Sequence, residues 1–143
     1  MKKFIISTIL LSLILVTSVV RAEQFVLSCK LKVSAVNTRT NQVMRSYFID
    51  RYFIVDTVLE KVFDANNLPL DMHEFTDSRI VFSKRAISFA DIVDTRITYN
   101  RSSHQMSLNE IYAYASKFDQ RAQFVTKGEG NCTEIKINRK PLF

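Results

Sequence analysis

Alternating apolar and polar side chains identify the first β-strand of the chain. Four residues of each kind alternate across residues 28–36: Cys29, Leu31, Val33 and Ala35 against Ser28, Lys30, Lys32 and Ser34. Successive side chains of a strand point to opposite faces, so the pattern puts the apolar set on one face. Residues 37–41 have a turn-like composition. The sequence therefore predicts a strand that is buried on one side and ends at a turn.

Residues 43–55 are dense in aromatic and β-branched side chains. The residues that carry this signal are Tyr47, Phe48, Ile49, Tyr52, Phe53 and Ile54. Such residues favour pleated, packed surfaces. We predict a long strand here that is buried on much of both faces.

Residues 56–67 fit two patterns. A helical stripe would consist of Val55, Val58, Leu59, Val62 and Phe63, with Asp56 as an N-cap. Val58 and Val62 also alternate acceptably with Glu60 and Asp64, as a strand requires. The strand interpretation is favoured, and residues 66–69 then form a turn.

The rest of the chain contains short, regularly spaced segments of strand character that are separated by polar turns. They cover residues 72–75, 79–83, 86–89, 95–100, 105–115 and 121–127. This spacing is typical of an all-β antiparallel meander that closes into a small barrel, and a sandwich of two facing sheets is the alternative. No linker or repeat interrupts the pattern, so residues 23–143 are predicted to form a single domain.

The N-terminal segment has the order of a removable signal peptide. Lys2 and Lys3 precede an uncharged apolar run over residues 4–20, and a Val-x-Ala site ends at Ala22. We expect cleavage to leave residues 23–143 without a membrane span, in the periplasm or secreted. A retained anchor and a lipoprotein attached through Cys29 are the alternatives, because the run is close to bilayer-spanning length and residues 26–29 loosely resemble a lipobox.

Two cysteines, Cys29 and Cys132, are the only ones in the chain. In an oxidising compartment an even count favours a disulfide between them. Cys29 lies on the apolar face of the first strand, and Cys132 follows the last predicted strand through residues 128–131. A bridge makes the first and last strands neighbours, as barrel closure requires. Closing a loop of about 100 residues stabilises a fold by roughly 4 to 5 kcal/mol in the chain-entropy model.

Three short motifs resemble those of small exported bacterial proteins that have an early cysteine, an Ile-Asn-Arg-x-[Thr/Ser]-Gly strand and turn, and a terminal Gly-x-Cys followed by Pro and Phe. The matching residues are Cys29, Ile97-Thr98-Tyr99-Asn100-Arg101-Ser102-Ser103, Gly130-Asn131-Cys132 and Pro141-Leu142-Phe143. Tyr99 replaces the isoleucine and Ser103 replaces the turn glycine. The resemblance implies export, the bridge and a β-rich fold, and it implies no activity.

Residues with catalytic or metal-binding chemistry are sparse. The two histidines are His73 and His104, too few for a site built mainly on imidazole. Neither the run from Asp71 to Glu74 nor Ser102-Ser103-His104 has the setting of a metal site or a nucleophile elbow. Asp50, Asp56, Asp64 and Asp94 could include a hydrolytic pair, although nothing indicates which two would face each other. We therefore assign no catalytic, cofactor-binding or metal-binding residue.

Net charge and aromatic content further restrict the classes of function that the chain could have. Removing Lys2, Lys3 and Arg21 lowers the formal net charge from +6 to +3, and so mild a charge does not indicate nucleic acid. Eleven Phe and five Tyr are ample for a core, and some could line a lumen that binds an apolar ligand. The aromatic residues within predicted strands are Tyr47, Phe53, Tyr99, Tyr112 and Tyr114.

These observations together favour an exported, non-catalytic β-domain that binds an apolar ligand or an envelope protein. This function accounts for the sparse chemistry, the bridge and the supply of aromatic residues. A small secreted enzyme inhibitor is the alternative, and a hydrolase without a visible motif is a weaker one. A cavity lined by Tyr or Phe would favour ligand binding, whereas a protruding loop on a filled barrel would favour an inhibitor.

Overall fold

Eight antiparallel strands form the described part of the chain, which in this computed structural model is residues 23–87, 91–114 and 124–137. The strands are β1 (Gln24–Asn37), β2 (Val43–Asp56), β3 (Lys61–Asp64), β4 (Asp71–Phe75), β5 (Arg79–Ile87), β6 (Asp91–Asn100), β7 (Gln105–Tyr114) and β8 (Phe124–Lys136). None of these residues belongs to a helix long and apolar enough to span a bilayer. The predicted signal peptide lies outside the described residues.

All eight strands belong to one sheet, in the order β3-β2-β1-β8-β7-β6-β5-β4. The first and last strands are therefore neighbours at the centre of the sheet, and β3 and β4 lie at its edges. The edges approach each other through a bridge between Phe63 and Pro69 and a hydrogen bond of 2.9 Å from Leu70 N to Val62 O. The predicted all-β barrel is confirmed as a nearly closed one, rather than two separate sheets.

The predicted disulfide joins Cys29 of β1 to Cys132 of β8. The two residues stand directly opposite each other in the β1–β8 ladder, with their Cα atoms 4.0 Å apart. The Cys132 amide donates to His104 O on the β7 side, so Cys29 and Cys132 form a non-hydrogen-bonded pair, the close-set type. The expectation that Cys132 follows the last strand is wrong, because β8 continues to Lys136.

Gly130 explains how β8 continues beyond residue 127, where the predicted strand ends. A Cβ on Gly130 would lie 1.9 Å from the carbonyl oxygen of Lys30 and 2.8 Å from the Cα of Leu31. The glycine is thus needed where β1 and β8 come close together, and no turn occurs at this position. Residues 128–131 lie beyond the end of the strand predicted at 121–127, and the absence of a side chain at Gly130 allows them to continue that strand beside β1.

The core fills the barrel from the end at which β1 begins and β8 ends, which we call the closed end. Every second side chain of β1 points inward, from Phe25 to Val33, as the alternation predicts. The largest inward side chains that are fully buried are Tyr99, Phe25, Phe82, Leu27, Leu31, Ile80 and Met106. The other end, at which β1 ends and β8 begins, is called the open end.

β2 differs from its prediction. Instead of being buried on much of both faces, it is exposed over residues 43–48, and its buried hydrophobic side chains are Phe53 and Val55. The physical reason is that β3 pairs only with residues 53–56 of β2. On the side away from β1, no described strand covers residues 43–52.

β5 is also corrected. The predicted strands at residues 79–83 and 86–89 are one strand as far as Ile87, and residues 88–90 lie outside the described ranges. Lys84 and Arg85 suggested a turn, but each has a carboxylate partner within the sheet: Asp64 at 2.8 Å and Asp94 at 2.6 Å. Paired charges therefore allow the strand to continue.

The ambiguous segment is a turn followed by a strand. Asp56, the possible helix N-cap, accepts hydrogen bonds from the amides of Val58 and Leu59 at 3.0 and 2.9 Å, and β3 begins at Lys61. Asp56 thus caps a turn rather than a helix, and the favoured strand interpretation is confirmed for residues 61–64.

Gly130→Ala should destabilise the fold by about 3 kcal/mol, the upper part of the overpacking range, because the new methyl group meets backbone that cannot rotate away. Gly128→Ala is the matched control, since its Cβ would meet a side-chain methyl of Val33 at 3.1 Å. Urea denaturation of both variants measures the effect. Equal stability losses for the two variants would contradict the close approach of β1 and β8 at Gly130.

Candidate functional site

A cavity of about 470 Å³ occupies the open half of the barrel. Its apolar lining includes Phe53, Phe82, Ile97 and Leu108, which are inward residues of β2, β5, β6 and β7. The rings of Phe53 and Phe82 pack edge to face, with centroids 5.0 Å apart. These side chains separate the cavity from the core at the closed end, so they form an apolar floor.

An ion pair between Asp64 and Lys84 lies on one wall of the cavity. Lys84 Nζ is 2.8 Å from Asp64 Oδ2, and Asp64 Oδ1 accepts hydrogen bonds from the amides of Asn66 and Leu68, each at 2.9 Å. The hydrogen bond from Lys84, followed by that from the Leu68 amide, lowers the pKa of Asp64. Asp64 is therefore a carboxylate at neutral pH.

Hydroxyl donors surround Glu110, which lies two strands from Lys84 in the same row of the sheet, with Thr95 between them. Thr95 Oγ1 donates to Glu110 Oε2 at 3.1 Å, and the Tyr112 hydroxyl donates to Glu110 Oε1. Burial is the main cause that raises the pKa of Tyr112 to about 12, and the hydrogen bond to Glu110 adds to it. Tyr112 thus remains a neutral donor across the physiological range. Tyr47 lies close enough to contribute to the same shift.

Arg51 adds a positive charge to the cavity lining. It stands beside Cys29 in the β1–β2 register, on the inward face of β2. Its side chain makes no ion pair with any described residue. In contrast to Lys84, Arg51 is available to bind an anion from outside the protein.

The combination of floor and walls is suited to a small amphipathic molecule. The cavity volume lies in the range of small-molecule sites, which are mostly apolar with a few polar groups that orient the ligand. An apolar group would lie against Phe53 and Phe82, and a charged group would lie near Arg51. Asp64 is poorly suited to act as a general acid, because that role needs a raised pKa and the pKa of Asp64 is lowered.

The four aspartates considered from sequence are dispersed. Asp50 and Asp64 line the cavity, whereas Asp94 pairs with Arg85 on the outer face of the sheet. Asp56 is buried and accepts a hydrogen bond of 2.6 Å from Gln24 Nε2. The structure therefore brings two of the four to the cavity and gives the others structural partners.

Neither histidine is among the residues that line the cavity. His73 lies within β4, in agreement with the strand predicted at residues 72–75, and its Nε2 is 2.6 Å from the Ser83 hydroxyl on the exposed surface. No described carboxylate orients this histidine, so the pair lacks the third member of a triad. Asp71 and Glu74 lie in the same strand, and among the described residues no three His, Cys, Asp or Glu side chains form a group that could hold a metal ion.

His104 belongs to a hydrogen-bond network at the closed end. The buried Tyr99 hydroxyl donates to Glu134 Oε1 at 2.8 Å and lies 2.9 Å from His104 Nδ1. Burial, and then the bond to Glu134, raises the pKa of Tyr99. Ser102 and Ser103 form an exposed turn whose amides are bonded to Asn100 Oδ1. The network therefore satisfies a buried hydroxyl, and the turn is polar as predicted.

Sequence reasoning did not identify Arg51, Lys84, Thr95 or Glu110 as site residues. A signal for two of them was present, because Thr95 and Glu110 fall on the same strand faces as the apolar Ile97 and Leu108. Polar residues in the inward phase of a strand indicate either a buried network or a lumen. Of the aromatic candidates, Tyr112 and Phe53 line the cavity, and Phe53 also belongs to the core, as Tyr99 does. The side chain of Tyr114 is outside the described set.

No protein-family model, curated protein or solved structure matches the chain.

Asp64→Asn should make the protein less stable at neutral pH, because it removes the charge that faces Lys84 while keeping an oxygen for the turn amides. The folded pKa of Asp64 lies below its ordinary value of 3.8. Its stabilisation is thus complete above that pH and is lost as the pH falls through the folded pKa. Urea denaturation at several pH values should show the difference from wild type shrinking below about pH 4.

Asp94→Asn is the matched control for this experiment. Asp94 and Arg85 are 47% and 64% exposed in their side chains, against 12% and 49% for Asp64 and Lys84. Exposed ion pairs contribute little to stability, so the control should lose less. A pH-independent deficit in Asp64→Asn would contradict the role of its charge.

Proposed function

We propose that the protein is an exported, non-catalytic binding domain that holds a small amphipathic anion in the open half of its barrel. The observation that carries this proposal is that the interior of the barrel consists of two different halves. The closed half is packed with apolar side chains, and the open half contains a cavity with an apolar floor and charged walls.

Arg51 and the aromatic floor together specify the chemical class of the ligand. An apolar body would be desolvated against Phe53 and Phe82, which stabilises binding in proportion to the area buried. Arg51 has no described ion-pair partner and can pair with a carboxylate, sulfonate or phosphate. The ligand is therefore an anion with an aromatic or aliphatic body, small enough for the cavity volume of about 470 Å³.

Binding is a better fit than inhibition or hydrolysis. A filled barrel with a protruding loop would suit an inhibitor, whereas this barrel is hollow in its open half. Both wall carboxylates are occupied by donors, Asp64 by Lys84 and Glu110 by two hydroxyl groups. A hydrolase would need one of them free to transfer a proton.

The proposed extracytoplasmic location rests on two features of the chain. The Cys29–Cys132 disulfide is consistent with an oxidising compartment, and the order of charged, apolar and small residues before residue 23 is that of a signal peptide. An apolar ligand or an envelope component would be available to such a domain in the periplasm or outside the cell.

Anilinonaphthalene sulfonate is a suitable probe, because it joins an aromatic body to an anion. Ala86 lines the cavity, and Ala86→Trp should fill part of it and weaken probe binding by about tenfold or more in a fluorescence titration. Ile87→Trp is the matched control, since Ile87 is the next residue of β5 and its side chain is 73% exposed. Equal affinities for wild type and both variants would overturn the cavity as the binding site.

A second probe, uncharged phenylnaphthylamine, distinguishes the contact with the anionic group from the contact with the apolar body. Arg51→Gln should weaken binding of the sulfonate and leave binding of the uncharged probe unchanged. Because the sulfonate also fluoresces on partly folded proteins, near-ultraviolet circular dichroism of each variant must match that of wild type. Loss of both probes to the same extent in a folded Arg51→Gln variant would refute the anion contact.

A further inference from the structure

Beside the cavity, one strand edge of the barrel has no strand partner among the described residues. β1 pairs with β2 along its length, but β3 pairs only with residues 53–56. Across the opening, β4 pairs with β5 only as far as Ser83, which leaves residues 84–87 without a described partner on that side. Asp50, Arg51, Lys84 and Ala86 line the cavity from these two edges. The described strands therefore leave a lateral opening to the cavity between β2 and β5.

The backbone groups that face this opening can be assigned from the ladder. Thr57 N donates to Glu23 O in continuation of the β1–β2 register. Backbone groups alternate in direction along a strand, so odd-numbered residues of β2 bond to β1 and even-numbered ones point the other way. The amide and carbonyl groups that point into the opening belong to Ser46, Phe48, Asp50 and Tyr52.

The side chains along this edge include only some of the features that prevent pairing with another strand. Proteins commonly protect exposed edges with proline, lysine or other charges, inward-pointing charged residues or bulges, or keep them short. Residues 46–52 contain neither proline nor lysine, and their two charged residues are Asp50 and the inward-facing Arg51. Phe48 and Tyr52 are 65% and 51% exposed on the outer face. The register shift near Ala35 lies beyond this stretch. The edge thus resembles those to which extended peptides add a strand.

We infer that residues 46–52 of β2 bind an extended peptide segment of a partner protein by strand addition. The two rows of β2 side chains define the peptide. Tyr47 and Arg51 lie on the inward face, with Arg45 placed 5.2 Å from the ring of Tyr47. A peptide with acidic side chains on that face would match the two arginines. On the outer face, apolar side chains would pack beside Phe48 and Tyr52.

A second copy of this chain fits the edge less well. Antiparallel pairing of two β2 strands about Phe48 would place Arg45 of each copy opposite Arg51 of the other. Like charges directly opposite each other destabilise a strand pair. The charge pattern therefore favours an acidic partner. The inference depends on the backbone edge and does not require a cavity ligand.

The test uses a short fluorescein-labelled peptide in which glutamate and valine alternate, with fluorescence anisotropy as the readout. Wild-type protein should bind this peptide. A version of the peptide that is N-methylated at alternate residues cannot complete the ladder of hydrogen bonds, and it should bind about tenfold more weakly. A version with the glutamates grouped at one end should also bind about tenfold more weakly. Equal binding of the N-methylated peptide would overturn the inference without any change to the protein.

Phe48→Pro tests the same contact from the protein side. It removes an amide that faces the opening and leaves the β1 ladder intact, so the variant should fold and bind the peptide about tenfold more weakly. Phe48→Ala retains the amide and separates loss of the ring from loss of the hydrogen bond. Binding by a folded Phe48→Pro variant equal to that of Phe48→Ala would refute strand addition.

Two further measurements use a charge-reversal variant and the oligomeric state of the wild-type protein. Arg51→Glu should weaken binding of the acidic peptide, whereas Arg96→Glu, on the exposed face of β6, should not. Sedimentation of the wild-type protein should give a monomer. A dimer that Phe48→Pro dissociates would show that a second copy occupies the edge, which would replace the inferred partner.

Discussion

The pairing of β1 with β8 is the constraint on which the rest of the structure depends. These strands are the two ends of the described chain, yet they lie at the centre of the sheet and pair from Phe25–Lys136 to Asn37–Phe124. The Cys29–Cys132 disulfide fixes their register and closes a loop with a sequence separation of 103 residues. In the chain-entropy model such a closure contributes on the order of 4 to 5 kcal/mol, a large part of the stability of a small domain. Gly130 permits the close approach that this pairing requires.

Because β1 and β8 pair with each other, the edges of the sheet are formed by other strands. The sheet has its edges at β3 and β4, which are among its shortest strands. β3 can cover only the part of β2 nearest the closed end, so the barrel is filled there and hollow at the other end. The cavity and the edge of β2 that no described strand pairs with therefore have one cause. Asp64 is paired with Lys84, and Glu110 with Tyr112. These pairings stabilise polar and charged side chains that point into the hollow half of the barrel.

Local alternation was enough to predict that the chain forms a β-barrel, and compartment chemistry was enough to predict the bridge. β1 is the clearest case, since its inward residues from Phe25 to Val33 follow the alternation. Burial of β2 could not be predicted in the same way, because it depends on the length of a neighbouring strand that sequence does not reveal. The site was missed for a related reason: Arg51, Lys84 and Glu110 come from three strands, and only the register brings them to one cavity.

Amide hydrogen exchange along β2, followed by NMR, tests the half-open barrel most directly. The amides of Tyr47, Ile49 and Arg51 bond to β1 and should be protected, while those of the intervening Phe48 and Asp50 face the opening and should exchange rapidly. Alternating protection would confirm that this edge is unpaired beside the cavity. Uniform protection of both sets would contradict the account, because it would mean that another part of the chain or a second molecule covers the edge.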